Sequence, residues 1–233
     1  MAAERQIHPL FPTPLGSYRG FLQQELLLEA VMAQMAQAEG HPNAQDPHLS
    51  HYFDRGGRGV LDLQEPAFRA LRAWILDCSL DFVQTVLGLR CDGLIVASSW
   101  LNRCGVGGAQ AAHSHENSLV SGTYYLSFRE GHAPIQFFRP AAAAVANVPY
   151  LSLAADPAQP QNAFTTPQIQ IAPASGSLLL WPSHLLHGHS GNAMPDRLTL
   201  SFNLLPRRLV GSSYSLEIVE PGQDQTWMGD VFK

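Results

Sequence analysis

The chain has 233 residues, of which 45% are apolar and 14% are charged. These values are ordinary for a folded globular protein and exclude a disordered chain, and the length allows one sizeable core without requiring a second domain. The formal charge at pH 7 is −5, and the basic residues are scattered rather than clustered. This distribution argues against a nucleic-acid or anionic-membrane partner and favours a small-molecule partner.

The ends and the cysteines of the chain restrict its environment. No apolar run approaches the roughly 20 residues that span a bilayer, and the N-terminus lacks the basic region and apolar core of a signal peptide. The sequence therefore predicts a cytoplasmic protein. Cys78, Cys91 and Cys104 have no CxxC spacing, so neither a disulfide framework nor a thiolate zinc site is expected.

Two helices are predicted in the first ninety residues. In "FLQQELLLEAVMAQMAQAEG", apolar residues at helical spacing predict an amphipathic helix that buries Leu28, Val31, Met32 and Met35 and ends near Gly40. The following segment, residues 41–59, is polar and rich in Pro and Gly, so it is predicted to be a loop with surface histidines. A second helix is predicted from residue 66 to residue 87, with proline in its first turn and a glycine after its end.

From residue 92 onward the sequence becomes rich in strand formers. Segments of β-branched, aromatic or alternating residues are separated by Gly, Pro and Asn; they are "LIVASSWLN", "LVSGTYYLSF", "PIQFF", "PQIQIA", "GSLLLWP" and "RLTLSFNLL". Helices followed by many short strands predict two helices packed on an antiparallel double-sheet barrel. The long Ala- and Pro-rich connection, residues 140–166, is predicted to form a lid over the site.

The histidines are concentrated in this second part of the chain. His113 and His115 are two residues apart, so they project to the same face if that stretch is extended. A third histidine from "SHLLHGHS", either His184, His187 or His189, would complete a site for iron, zinc, copper or nickel. Glu116 is an alternative ligand, although in a regular strand it would point away from the two histidines.

The stretch "DRLTLSFNL" has clean alternation. Its apolar residues share one face, and the other face carries Arg197, Thr199, Ser201 and Asn203. The sequence therefore predicts that one face of a barrel strand is polar. An inward arginine is costly unless it meets an anion, and its rigid fork suits a carboxylate.

Four ordered motifs, "SSWLN", "HSHENSLVSGTYYL", "LLLWPSHLLHG" and "DRLTLSFN", resemble the 2-oxoglutarate and Fe(II)-dependent oxygenase family of bacteria and phages. The resemblance runs from "LFPTPLG", at about residue 9, to about residue 205. It implies a mainly β fold with N-terminal helices: a double-stranded β-helix (jelly roll, cupin-like) with two supporting α-helices. We expect a single domain over residues 1–233, with a helical part over about 1–90, a jelly-roll core over about 91–206 and a C-terminal extension over 207–233.

The same resemblance implies the metal ligands. His113 matches the first ligand and His187 matches the distal one. His115 falls where the wider superfamily carries Asp in an HxD motif. A set of three histidines replaces an anionic ligand with a neutral one and leaves more positive charge at the iron.

Residues that hold the cosubstrate are also implied. Arg197, ten residues after the distal histidine, matches the arginine that grips the far carboxylate of 2-oxoglutarate. Tyr125 resembles a tyrosine that binds the same carboxylate in related prolyl hydroxylases. Thr199 takes the place of an assisting hydroxyl residue, and Asn102 is a candidate cavity residue.

The resemblance implies an oxidoreductase that uses Fe(II), 2-oxoglutarate and O2, with His113, His115, His187 and Arg197 as the catalytic residues. Oxidative decarboxylation of 2-oxoglutarate would be coupled to hydroxylation of a small molecule or peptide, and relatives of this family suggest a homodimer. Two alternatives are a three-histidine zinc hydrolase or lyase and a non-catalytic cupin-like binding protein. Arg197 favours the oxygenase, because the reaction of a zinc hydrolase does not require a buried guanidinium opposite the metal.

Overall fold

The structure is a computed structural model that describes residues 6–8, 11–53, 59–139, 147–148, 151–152 and 156–218. Its helices are α1 (Gln24–Gln37) and α2 (Pro66–Asp81). Its strands are β1 (Gly16–Tyr18), β2 (His41–Pro42), β3 (Leu49–Tyr52), β4 (Leu94–Cys104), β5 (Gln110–His113), β6 (Val120–Ser127), β7 (Ile135–Phe138), β8 (Asn147–Val148), β9 (Leu151–Ser152), β10 (Gln168–Ile171), β11 (Leu178–Pro182), β12 (His187–His189), β13 (Arg197–Pro206), β14 (Arg208–Val210) and β15 (Ser215–Glu217).

Two antiparallel sheets form the body of the molecule. The large sheet has the order β1-β11-β6-β13-β4-β3-β2, and the small sheet has the order β10-β7-β12-β5. Consecutive strands of the chain thus alternate between the two sheets, as in β4, β5, β6 and β7. This is the double-stranded β-helix that the resemblance predicts, with two supporting helices.

The main hydrophobic core lies between the helices and one face of the large sheet. It contains Leu27 and Val31 of α1, Phe68 and Leu71 of α2, and the apolar face of β13. A smaller cluster lies between the two sheets and consists of Tyr125, Ile135, Phe137, Leu179 and Trp181. The helices therefore cover the outside of the large sheet, and the space between the sheets is left for the site.

The second predicted helix is confirmed. α2 begins at Pro66 and continues as one π-helical turn, Phe82–Val86, and Gly88 follows with a φ of 66°. Such a positive φ is easily adopted only by glycine, which explains the end of the helix there.

The predicted face of the first helix is partly wrong: Val31 is buried and Met35 packs against the main core as predicted, but Leu28 and Met32 are exposed. α1 is present, but Leu27, Ala30 and Val31 are its buried residues, whereas Met32 is 52% exposed. Leucine, alanine and methionine occur all round this helix, so its sequence does not single out one buried stripe.

The predicted loop after α1 is also partly wrong, because β2 and β3 extend the large sheet there. His51 in β3 is buried rather than on the surface, and it pairs with Asn102 of β4. The helical part of the chain thus contributes three strands, β1 to β3, to the large sheet. Of the predicted lid, residues 140–166, the structure describes 147–148, 151–152 and 156–166, and the remainder lies outside the described residues.

The predicted alternation of apolar and polar residues in β13 is confirmed, and it places the polar residues on the side of the site. Leu198, Leu200, Phe202 and Leu204 belong to the main core. The opposite side, which we call the polar face of β13, consists of Arg197, Thr199, Ser201 and Asn203. It forms part of the lining between the two sheets.

Candidate metal and cosubstrate site

Three histidines meet between the sheets. His113, His115 and His187 each offer a ring nitrogen, and these three atoms lie within 4.8 Å of one another. His113 and His187 face each other across the β5–β12 pairing. β5 ends at His113, so His115 lies in the segment after the strand, where its backbone N–H donates to Ser183 O at 3.0 Å. The expected proximity is confirmed, although the two histidines do not share one regular strand.

Two of the three imidazoles are held by backbone carbonyls. The Nδ1–H of His113 donates to Ala111 O at 2.8 Å, and that of His187 donates to Leu185 O at 2.9 Å. A carbonyl oxygen can only accept, so the proton is on Nδ1 and the lone pair is on Nε2. Both rings therefore present the nitrogen that a metal needs, in a fixed orientation.

Burial keeps the rings of His115 and His187 neutral. It lowers the pKa of His115 to about 4 and that of His187 to about 3, and neighbouring histidines contribute to both shifts. A neutral imidazole is the form that binds a metal ion, so no proton has to leave these two rings at neutral pH. The cluster fits a divalent metal such as Fe(II) that accepts imidazole ligands.

Arg197 begins β13 and is almost completely buried, with 4% of its surface exposed. Its Nε–H donates to Ala133 O at 3.0 Å, and no carboxylate in the described part of the chain pairs with it. Burial lowers the pKa of Arg197, but a guanidinium keeps its charge in a protein. A buried cation without an anion is costly, so this residue fits an anionic ligand.

Tyr125 of β6 lies beside Arg197. The guanidinium carbon is 5.6 Å from the centre of the tyrosine ring, and burial raises the pKa of Tyr125 to about 12. The hydroxyl is buried without a hydrogen bond of good geometry among the described residues. It is therefore a neutral phenol with a proton to donate.

Two more buried polar atoms lie in the same interior without a partner from the described residues. They are Nε1 of Trp181 and Nδ1 of His189. The Trp181 ring packs 4.8 Å from the ring of His187. Burial lowers the pKa of His189 to about 3, and the nearby Arg197 and His113 lower it further. Buried N–H and O–H groups are normally satisfied, so this interior fits a ligand with several acceptor oxygens.

The polar face of β13 is bonded to its neighbours. Asn102 of β4 donates to Thr199 at 3.3 Å and to Ser201 at 3.0 Å, and Ser201 Oγ is 3.0 Å from Thr123 Oγ1. Because Thr199 accepts from Asn102, its own hydroxyl proton stays available to a ligand. Asn102 thus lies in the cavity wall, where it fixes two hydroxyls.

The far end of the polar face lies at His115. Asn203 Nδ2 is 3.0 Å from Ser98 Oγ and 3.4 Å from His115 Nδ1. Ser121 Oγ lies 2.7 Å from Asn203 Oδ1 and 2.9 Å from Ser183 Oγ. The polar face therefore connects the environment of Arg197 with that of the histidine cluster.

The alternative ligands do not join the cluster. Glu116 and His184 are exposed, and His189 is buried but lies outside the group of ligand atoms. Burial raises the pKa of Cys104 to about 11, which speaks against a thiolate nucleophile.

Sequence reasoning missed Trp181. The signal for it was present, because "LLLWP" places the tryptophan in a strand just before the histidine cluster, yet the strand is apolar on both faces and does not reveal which one faces the site.

The comparisons with known proteins agree with this geometry. Residues 98–203 match the family model described as "Putative 2OG-Fe(II) oxygenase". This segment contains all three clustered histidines and Arg197. Comparison with the curated proteins gives no match.

Solved structures share the fold. HygX from Streptomyces hygroscopicus, solved with nickel and 2-oxoglutarate, is 16% identical with a TM-score of 0.55, and the match covers 83% of each chain. A prolyl-4-hydroxylase from Pseudomonas putida is 16% identical with a TM-score of 0.56 over 84% of this chain and 94% of that one. The epimerase SnoN, solved with Fe3+, alpha ketoglutarate and nogalamycin RO, is 11% identical with a TM-score of 0.58 over 84% and 80%.

No helix within the described ranges is long and apolar enough to cross a membrane. The likeness to the solved structures establishes the double-stranded β-helix, and residues 98–203 are similar to the 2OG-Fe(II) oxygenase family. The match to this family model supports an oxidoreductase of the 2OG-Fe(II) oxygenase class, a class that uses Fe(II), 2-oxoglutarate and O2.

Proposed function

We propose that this protein couples the oxidative decarboxylation of 2-oxoglutarate to the hydroxylation, or a related oxidation, of a small molecule or peptide. The observation that carries this proposal is the buried guanidinium of Arg197, which has no carboxylate partner among the described residues and lies in the same interior as the three histidines. Hydrolysis at a three-histidine metal does not by itself require such a cation, whereas a dicarboxylate that reaches the metal satisfies it.

His113, His115 and His187 would hold Fe(II). Their ligand atoms already lie within 4.8 Å of one another, and the carbonyls of Ala111 and Leu185 hold two of the rings in the required tautomer. Three neutral protein ligands leave further positions of the metal open for the cosubstrate and oxygen. When bound, the iron and 2-oxoglutarate supply the oxidising chemistry, which yields succinate and CO2.

Arg197 and Tyr125 would bind the far carboxylate of 2-oxoglutarate. The guanidinium fork can donate two parallel hydrogen bonds to one carboxylate. Tyr125 adds an O–H donor that has no other well-aligned acceptor, and Thr199 adds a second hydroxyl, held by Asn102. These neutral donors stabilise the anion without adding a charge that repels the metal.

The apolar walls would exclude water from the cosubstrate. Trp181 and Phe137 pack against each other at 5.4 Å and both border His187. A dry, fixed environment strengthens the interactions of Arg197 with a carboxylate and protects reactive intermediates from side reactions.

The oxidised substrate would be a small molecule or a peptide. The solved relatives include HygX with hygromycin B bound, SnoN with nogalamycin RO and a prolyl-4-hydroxylase. These support the same general class for this protein, since they share its fold.

The test is anaerobic. Fe(II) and 2-oxoglutarate are added to the metal-free protein, and a visible charge-transfer band is expected when the cosubstrate chelates the bound iron. Succinate is then measured after oxygen is admitted, with a panel of candidate substrates. If no band forms, or if Zn(II) supports hydrolysis without 2-oxoglutarate, the oxygenase proposal is wrong and the three-histidine hydrolase takes its place.

A further inference from the structure

The third histidine of the cluster differs from the other two in how its ring is held. His113 and His187 each donate their Nδ1–H to a backbone carbonyl. Among the residues that the structure describes, no carbonyl accepts from His115 at that position. Its Nδ1 is 3.4 Å from the side-chain amide nitrogen of Asn203. The support of His115 is therefore incomplete. A histidine that binds a metal through one ring nitrogen almost always donates a hydrogen bond from the other, and this bond fixes the tautomer.

The amide nitrogen of Asn203 is the wrong partner for a ring that binds metal through Nε2. An NH2 group donates, so His115 Nδ1 accepts and the ring proton is on Nε2. In this arrangement the nitrogen that could bind a metal carries a proton.

A half-turn of the Asn203 amide about its Cβ–Cγ bond exchanges Oδ1 and Nδ2 without displacing either position. Oδ1 would then accept from His115 Nδ1–H and from the hydroxyl of Ser98. Nδ2 would donate to Ser121 Oγ, whose own hydroxyl donates a hydrogen bond to Ser183 Oγ, 2.9 Å away. Every polar atom of the network keeps a partner, because the serine hydroxyls can either donate or accept.

We propose that Asn203 is the positioning residue for His115: with its amide in this turned orientation, Oδ1 accepts the Nδ1–H and leaves the Nε2 lone pair for the metal. The net proton change is zero, since the ring loses the proton on Nε2 and gains one on Nδ1 through solvent. This inference rests on the proposed function for the identity of the three ligands. It gives all three histidines the same support, an oxygen on Nδ1, with Asn203 replacing a carbonyl.

The surroundings of His115 are consistent with this role. Trp100 packs against the imidazole, with ring centres 5.7 Å apart, and thus restricts the ring's plane without bonding to either nitrogen. Asn203 lies on the polar face of β13, and its strand pairs with β4 on one side and β6 on the other. A residue in the middle of three paired strands is a rigid support for a ligand that lies in a loop.

The test compares two isosteric variants of the full chain, without 2-oxoglutarate. Zn(II) and Ni(II) affinities are measured by calorimetry or chelator competition for the wild type, Asn203→Asp and Asn203→Leu. Asn203→Asp keeps an acceptor oxygen and is expected to bind as tightly as the wild type or tighter. Asn203→Leu fills the same space without an acceptor and is expected to bind roughly 10- to 100-fold more weakly.

A second measurement guards against a variant that simply folds poorly. In the Zn(II)-loaded wild type, nitrogen NMR should show His115 bound through Nε2, with a protected Nδ1 proton. That proton should exchange faster in Asn203→Leu, while those of His113 and His187 stay protected. Circular dichroism of the metal-free variants shows whether the fold is intact.

The outcomes separate this inference from the proposed function. Equal metal affinity of Asn203→Leu and the wild type, or coordination of His115 through Nδ1, overturns the role of Asn203 and leaves the three-histidine site standing. If the wild type binds neither metal, both proposals are wrong. If Asn203→Asp loses affinity as much as Asn203→Leu, the residue fills space only, and the inference is overturned.

Discussion

Replacing Arg197 by methionine should separate cosubstrate binding from folding. Methionine has a similar length and no charge, so the change removes the guanidinium and leaves most of the packing. Removing one partner of a buried, hydrogen-bonded charge pair costs about 3–5 kcal/mol. At about 1.4 kcal/mol for each tenfold change, the Kd of 2-oxoglutarate should rise roughly 100- to 3,000-fold.

The metal-free variant should not lose comparable stability. In the wild type the guanidinium is almost fully buried and has no carboxylate among the described residues, so its removal relieves a desolvation cost. The lost hydrogen bond to Ala133 O acts in the opposite direction, at about 1–3 kcal/mol for an unsatisfied buried acceptor. The two effects largely offset each other, and the Tm without ligand should change by only a few degrees.

The assay is an anaerobic titration of the Fe(II)-loaded protein with 2-oxoglutarate, followed by the charge-transfer band. Pyruvate is the matched control ligand, because it keeps the 2-oxo acid group and lacks the far carboxylate. Arg103→Met is the matched control protein, since Arg103 is an exposed arginine paired with Asp196. The reasoning is refuted if Arg197→Met binds 2-oxoglutarate normally, or if it loses pyruvate binding to the same degree.

Three further predictions concern the histidines and the packing of β6. His187→Ala should abolish tight binding of Fe(II) or Ni(II), while His184→Ala, which removes an exposed histidine three residues earlier, should leave it unchanged; calorimetry compares the two. Gly122→Ala should destabilise the protein by about 1–3 kcal/mol in a urea titration, because a Cβ there would contact Phe202 and lie 2.7 Å from Leu180. The metal-free protein should become less stable as the pH falls from about 6.5 toward 4. Three histidines have a folded pKa of about 3 to 4, below the unfolded value of about 6.5. The unfolded chain therefore binds more protons than the folded protein in this pH range, and protonation favours unfolding. These histidines are His115, His187 and His189. The slope is at most about 1.4 kcal/mol per pH unit for each of them, and a thermal melt that is flat between pH 7 and pH 4.5 would contradict this reasoning.

The strands that line the site could be read from the sequence, because alternation in β13 separates an apolar face from a polar one. The same signal is missing in β5 and β12, which are only three or four residues long and acquire their positions from pairing with each other. The buried face of α1 was also beyond sequence reasoning, since its apolar residues surround the helix. His115 shows most clearly what the sequence could not predict. The spacing of the two histidines predicted a shared strand face. In the structure His115 lies after the strand, and a hydrogen bond from its backbone N–H to Ser183 O holds it near His113.

The charges of the interior explain why the cosubstrate and the metal belong together. Among the buried polar residues of the described ranges, none is an aspartate or a glutamate. A divalent metal on three neutral imidazoles and the guanidinium of Arg197 would therefore repel each other across the polar face of β13. A dicarboxylate that reaches from one to the other neutralises both ends at once, which no monocarboxylate or neutral ligand can do. An ordinary HxD site supplies part of that negative charge from the protein, whereas here His115 supplies none. The anion that completes this interior has to come from the ligand, and 2-oxoglutarate has one carboxylate for the metal and one for Arg197.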